Sequence, residues 1–232
     1  MPTAHPRTPT AVAGSGAARP RFVVAVAGTA TEVGKTWVAA QVAQRLRHAG
    51  LVIAARKPAQ SHEPGDTDTD AAVLAAATGE ATRTVCREDR DYAVPMAPPM
   101  AASTLGLAPF TVADLVAELE WPRGCDIGLV ESAGGIRSPI ATDGDTLELI
   151  RQLNPDLVAL VADAGLGVIN ALRLCAAALD PVRPVVVLNR FDDGQELHRR
   201  NLAWLRDSDG FDLVTSPQAF TDRLLRLLDE RQ

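Results

Sequence analysis

Short apolar runs recur along the chain at residues 22–27, 51–55, 127–130, 157–161 and 185–188, with a weaker sixth at 211–214. Each is rich in Val, Ile, Leu or Ala and is bounded by Gly, Pro or Asp, the signature of a strand buried on both faces. Between them, residues 36–48, 69–77, 112–119, 146–153, 168–179, 195–205 and 221–228 carry apolar positions at helical period. Strands alternating with helices predict an α/β fold of three layers: a mostly parallel sheet with helices on both faces. Residues 83–109 break the pattern, because Pro95, Pro98 and Pro99 forbid a long helix. That segment should pass over the carboxyl edge of the sheet, where open α/β folds place their ligands. Neither an internal repeat nor a second domain is visible, so residues 21–232 read as one domain.

Composition narrows the function classes. The formal net charge is −6 and there is no basic arm or stripe, so no nucleic-acid partner is expected. No apolar run approaches the roughly 18 residues of a membrane span, and the stretch at 22–27 has no cleavage-type sequel. Cys86, Cys125 and Cys175 lie far apart without CxxC or Cys/His spacing, which suggests neither zinc nor a disulfide framework and fits a reducing cytoplasm. Residues 1–20 hold no acid, like a transit peptide, but Pro2, Pro6, Pro9 and Pro20 would break the amphipathic helix such a peptide needs. A disordered tail is the expectation there.

Of 23 basic residues only Lys35 and Lys57 are lysine. A compact ammonium reaches a phosphate at a tight site in a way that the larger planar guanidinium does not. Lys35 stands in Gly28-Thr29-Ala30-Thr31-Glu32-Val33-Gly34-Lys35-Thr36, after a strand and before a helix. Five residues separate its two glycines, one more than the strict phosphate-loop pattern. The strand–loop–helix context still converges backbone N–H groups and a helix N-terminus on an anion. Lys35 would then reach the β- and γ-phosphates of a nucleoside triphosphate, and Thr36 would offer its hydroxyl to Mg²⁺.

Other candidates gather at strand ends. Lys57, directly before Pro58, should point from the rim of the carboxyl edge toward the loop bearing Ser61. Asp66, Asp68 and Asp70 either cap the following helix or offer oxygens to a hard cation, with Asp70 the chosen ligand. Glu131 ends a strand before Ser132-Ala133-Gly134-Gly135, as a cation ligand or as the start of a glycine turn. The run Asp163-Ala164-Gly165-Leu166-Gly167 opens a helix near Val168, a small anion site or a loosened turn. Asn189-Arg190-Phe191-Asp192 resembles the base-reading N-K-x-D of GTPases, and an Asn there either binds a purine or makes a turn. His48 and His198 fall on helices expected to be solvated, His5 in the tail, and only His62 near the site. No histidine is assigned a metal, and no nucleophile triad is supported.

Across about residues 22 to 215 the chain resembles the dethiobiotin synthetases, ATP-dependent enzymes of biotin biosynthesis with a P-loop NTPase fold. The matches are Gly-Thr-x-Thr-x-Val-Gly-Lys-Thr at 28–36, Lys57-Pro58 with Ser61, an Asp-Ala segment at Asp70, Val130-Glu131-x-Ala133-Gly134-Gly135, and Leu166-Gly167-x-Ile169-Asn170. The resemblance implies that Lys57 is catalytic and, with Thr31 and Lys35, steadies a carbamate and the transferred phosphoryl group. It implies that Thr36, Asp70 and Glu131 hold Mg²⁺. ATP would lie on Glu32, Val33, Gly34, Lys35, Thr36 and Trp37 and on Glu131, Ser132, Ala133 and Gly134, with Asn189 at the adenine. Ser61 would contact substrate, and Leu166, Gly167, Val168, Ile169 and Asn170 would hold its carboxylate across a homodimer interface. The implied substrates are 7,8-diaminononanoate, CO₂ and ATP. Departures cluster on the substrate side: the family commonly has Gly at Ser132 and His62, and small or apolar residues at Arg137 and Ser138. Some members carry an acid at Ala30. A same-fold ligase or kinase for another amine is the rival reading. A partitioning-type switch ATPase is a weaker one, since no second lysine stands early in the loop.

Overall fold

A computed structural model of the chain describes residues 19–230. Six strands form one wholly parallel sheet in the order β10-β9-β8-β1-β5-β2: β1 (Phe22–Gly28), β2 (Ile53–Arg56), β5 (Ile127–Glu131), β8 (Leu157–Asp163), β9 (Val185–Asn189) and β10 (Asp212–Val214). β1 pairs with β5 on one side and β8 on the other, and β5 separates it from β2. Two short pairs stand apart, β3 (Gln60–Ser61) with β4 (Asp91–Tyr92) and β6 (Pro139–Ala141) with β7 (Gly144–Asp145).

The period-two pleat of β1 divides the core. Phe22, Val24 and Val26 join α1 (Lys35–His48), α2 (Asp70–Thr78) and α9 (Pro217–Asp229) on one face. Ala25 and Ala27 join α6 (Thr146–Leu153), α7 (Val168–Leu179) and α8 (Glu196–Asp207) on the other. Alanine on the second face and larger residues on the first let both helix layers approach a strand with no exposed side. A third cluster, with Tyr92, Phe110, Ile140 and Leu149, underlies the proline-rich excursion and the short helices α4 (Pro98–Thr104) and α5 (Val112–Ala117), while Val85 of α3 (Thr82–Val85) packs into the first cluster. Pro98 and Pro99 occupy the first turn of α4, where a missing N–H costs nothing, so a short helix forms where a long one cannot.

The structure moves several boundaries. The second strand is 53–56, because Val52 lends its carbonyl to the N–H of Asp126 before the ladder begins. The last helix begins at Pro217, capped by the Ser216 hydroxyl on Ala219 N at 3.1 Å. The expected tail lies outside the described residues up to residue 18. Arg19 and Pro20 belong to the packed body: Arg19 donates to the Asn154 carbonyl at 2.6 Å, and Pro20 is buried.

Candidate active site

β1 runs into the loop as a buried strand and leaves it at Gly34, whose φ of 90° makes the sharp entry into α1. No side chain caps α1. From Ala30 to Thr36 no backbone N–H has a partner among the described residues, so a row of donors faces outward at the positive end of a helix. Lys35, the first residue of α1, is buried, and among the described residues its ammonium meets only the Ala30 carbonyl, at 3.2 Å. Burial lowers its pKa, and the nearby charge of Lys57 lowers it further. A desolvated cation without an ion pair and a row of free N–H groups together make a cradle for an anion.

Four side chains from four parts of the chain converge beside it. Nζ of Lys57 lies 2.6 Å from Asp70 Oδ2 and 2.6 Å from Glu131 Oε1, and donates to the Ser132 carbonyl at 3.3 Å. Oγ1 of Thr36 lies 2.7 Å from Asp70 Oδ1 and 2.8 Å from Glu131 Oε1. Lys57 stands one residue past the end of β2, at the carboxyl edge where the sequence placed it, and is 2% exposed because it turns inward toward β5. Burial alone would lower its pKa; the Glu131 and Asp70 carboxylates outweigh burial and hold it above the ordinary lysine value. The two acids respond oppositely to the same ammonium. Burial dominates at Glu131, 1% exposed, and pushes its pKa up, whereas at the half-open Asp70 burial is outweighed by Lys57 and Thr36, and the pKa falls.

The donor set fits a hard cation. A single hydroxyl proton on Thr36 cannot satisfy two carboxylates, and Oε2 of Glu131 is buried without a hydrogen-bond partner among the described residues. Two carboxylates and a hydroxyl are too few to cage an ion alone. Mg²⁺, however, keeps waters and takes phosphate oxygens beside one or two carboxylates. Asp66 and Asp68 are exposed and do not join the cluster.

Asn189 ends β9, and its Nδ2 donates to the Val33 carbonyl at 2.9 Å, while Oδ1 has no donor among the described residues. Asp192 is not set to read a base: its carboxylate is taken by Gly194 N at 2.9 Å and by Gln195. Trp37 is 52% exposed at the start of α1. Ser61 donates to the Met96 carbonyl. Leu166, 90% exposed, Gly167, Val168, Ile169 and Asn170 form the turn into α7 and do not meet the four-residue cluster within one chain. A cleft of ≈ 550 Å³ opens between Thr29–Thr31, Gly135–Pro139 and the α7 residues Leu174, Cys175 and Ala178.

Of the substrate-side departures, the side chains of Ser138, Arg137 and His62 have local partners and that of Ser132 has none among the described residues. Ser138 Oγ accepts from Gly135 N at 2.8 Å, and Arg137, at the cleft, pairs with Asp145 at 3.0 Å. Ser132 is buried, with its hydroxyl unpartnered. His62 lies 2.9 Å from Asp91 and 2.9 Å from the Glu63 carbonyl. Sequence reasoning missed the hub at Asp91, which also takes Gln60 Nε2 at 2.9 Å and Arg83 at 2.7 Å; Gln60 Oε1 in turn holds Ala71 N, next to Asp70. A separation of 31 residues between Gln60 and Asp91 leaves no local signal. His198, expected in solvent, is buried: its ring accepts from Asp192 N at 3.1 Å and packs on Phe191.

A family model described as an AAA domain matches residues 23–194. The chain is 37% identical over 212 residues to the ATP-dependent dethiobiotin synthetase BioD of Rhodococcus jostii, spanning 87% of this chain and 88% of that protein. It is 32% identical to the protein of the same name from Haloferax mediterranei, over 83% of this chain and 82% of the other. Among solved structures, one described as a plasmid partition protein of Borrelia burgdorferi bound to AMPPNP superposes with a TM-score of 0.54 at 12% identity, covering 88% of each chain. That last likeness shows the fold alone.

Proposed function

The chain belongs to the ATP-dependent dethiobiotin synthetase family, and on that footing we propose that it closes the ureido ring of dethiobiotin from 7,8-diaminononanoate and CO₂. It is an ATP-dependent ligase of biotin biosynthesis. The observation that carries the residue assignments is the convergence of Thr36, Lys57, Asp70 and Glu131 beside a phosphate loop with unpartnered N–H groups. One amine of the substrate adds CO₂ to give a carbamate; a carbamate oxygen takes the γ-phosphoryl group and releases ADP. The second amine then attacks the carbamoyl carbon, and phosphate leaves.

Carbamate and triphosphate are both anions, so their approach demands fixed positive charge in a site shielded from water. Lys35 and the N–H groups of Glu32 to Thr36 hold the phosphates, and Thr31, on the cleft wall, faces the carbamate. Lys57, preorganised at full burial, neutralises charge that develops between the two reactants. Thr36, Asp70 and Glu131 would hold Mg²⁺, which supplies Lewis-acid neutralisation of the phosphates when bound. Trp37 and the 131–134 turn flank the nucleotide, and Asn189 Oδ1 is left to accept from the base amino group. Ser61 meets the substrate. A homodimer supports the remaining assignment: Leu166 and Leu174, 90% and 65% exposed on the α7 side, would be covered, and Leu166 to Asn170 would reach the partner's cleft. The enzyme acts in the cytoplasm, and no helix among the described residues is long and apolar enough to cross a membrane.

Purified protein given diaminononanoate, bicarbonate, ATP and Mg²⁺ should yield dethiobiotin, ADP and phosphate, read by mass spectrometry. ATP binding without that product would overturn the substrate assignment and favour a different amine.

A further inference from the structure

Two successive residues at the end of β9 hold two successive carbonyls of the phosphate loop. Asn189 Nδ2 donates to the Val33 carbonyl at 2.9 Å, and the Arg190 guanidinium donates to the Glu32 carbonyl at 2.8 Å. In a trans peptide the carbonyl of one residue and the N–H of the next point in opposite directions. Drawing the carbonyls of Glu32 and Val33 toward β9 therefore turns the N–H groups of Val33 and Gly34 the other way, and neither has a partner among the described residues.

The backbone shows why such a hold is needed. Glu32 (φ 60°) and Arg190 (φ 56°) both stand in the left-handed region without being glycine, a conformation kept only where surroundings impose it. Arg190 is itself aimed from behind: Asp163 Oδ2 lies 2.7 Å from its other terminal nitrogen, and Oδ1 of the same carboxylate accepts from Gly165 N at 2.9 Å. The guanidinium fork thus spans the phosphate loop and the turn leading into α7.

We infer that Arg190 is a positioning residue for triphosphate binding: it sets the curvature of the phosphate loop from outside, through the Glu32 carbonyl, and is oriented for this by Asp163. It touches neither phosphate nor base. The inference rests on the nucleotide-site reading above and adds a residue whose type, in an N-R-F-D run, would otherwise pass for a base-reading element.

The test is calorimetric titration of full-length protein with ATP, GTP and inorganic tripolyphosphate, each with Mg²⁺, alongside thermal melting. Loss of one charge-assisted hydrogen bond at a partly exposed site predicts that Arg190→Ala weakens ATP and tripolyphosphate by about tenfold alike. Arg190→Lys, which keeps charge but not the fork, should recover only part of this, and Asp163→Asn should weaken binding in the same direction by less. In turnover, KM for ATP rises while kcat at saturating ATP holds. Unchanged tripolyphosphate affinity with weakened ATP would overturn the inference and make Arg190 a base contact. Unchanged affinity for all ligands would overturn it too. A fall in affinity that full recovery in Arg190→Lys accompanies would show that charge alone acts, and would overturn the carbonyl hold. Should Arg190→Ala melt below the assay temperature, the Arg190→Lys and Asp163→Asn titrations decide. Parent protein that binds neither ATP nor tripolyphosphate would sink the nucleotide reading itself, a separate result.

Discussion

The ammonium of Lys57 and the carboxylate of Glu131, 74 residues apart, meet at 2.6 Å in a site where both side chains are at most 2% exposed. Removing one partner of such a pair strands the other. Lys57→Met should cost about 3–5 kcal/mol near neutral pH, the usual size for a broken buried ion pair. The pH dependence follows from the signs. The raised pKa of Lys57 gives stability that is complete below the ordinary lysine value and lost as pH rises through its folded value. The lowered pKa of Asp70 gives stability that is present above the ordinary carboxylate value and lost as pH falls through its folded value. In Lys57→Met, Glu131 and Asp70 repel with only the more distant Lys35 to offset them, so its deficit should shrink as the pH falls and Glu131, which burial already holds above the usual carboxylate value, takes a proton. Melting curves of both proteins across pH 5–9 measure this; a constant gap would contradict it.

The two lysines should separate in function. Lys35→Ala removes the lysine ammonium that has no carboxylate partner among the described residues and should abolish tight triphosphate binding, read by titration. Lys57→Ala should leave binding measurable and lower kcat by about 10²–10³, the loss typical of one preorganised charge-stabilising donor. Full activity in Lys57→Ala would refute the assigned role.

Gly34 has no room for a side chain. A methyl group there would lie 2.1 Å from Nδ2 of Asn189, at a φ of +90°. Gly34→Ala should break the Asn189–Val33 bond, open the loop and cost more than about 1 kcal/mol. Weakened nucleotide binding with a lowered melting temperature is the expected result; wild-type affinity would show that the loop's shape does not depend on this contact.

Magnesium should be required, and EDTA should stop turnover. Asp70→Asn and Glu131→Gln should each raise the Mg²⁺ concentration for half-maximal activity by about tenfold or more, because each removes one charged oxygen from a set that has only two. Wild-type Mg²⁺ dependence in both variants would exclude these carboxylates as ligands.

Thiol chemistry should follow burial. Burial pushes Cys86 up to about 12 and Cys125 up to about 11, while Cys175 is only half buried, on the cleft wall facing Thr31. A thiol-disulfide reagent should therefore titrate Cys175 first and all three only after unfolding. Rapid reaction of Cys86 in the native protein would contradict the packing around it.

Much of the architecture was legible because buried parallel strands read as unbroken apolar runs and their partner helices keep a clear period. The phosphate loop was legible through context despite its extra residue. Lys57, Asp70 and Glu131 were each visible as strand-end or helix-start residues. Their meeting at one point was implied by the family resemblance alone and not by the residues' own pattern, because it depends on β5 lying between β1 and β2, and strand order has no local sequence signal. The Asp91 hub is hidden for the same reason. His198 misled because one polar face of α8 turns inward onto the Asp192 turn, where a hydrogen bond and Phe191 replace water. Pro217 was passed over as the start of α9, although Ser-Pro before an apolar period is a helix-start signal.

The insertion of β5 between β1 and β2 also orders events in time. A growing chain carries the phosphate loop, Lys57 and Asp70 well before Glu131, and until residues 127–131 are added the strands β1 and β2 have no common neighbour to align them. Nucleotide capture that uses Glu131 therefore cannot precede the addition of β5, and a ligand present during refolding should favour the finished topology over partial ones.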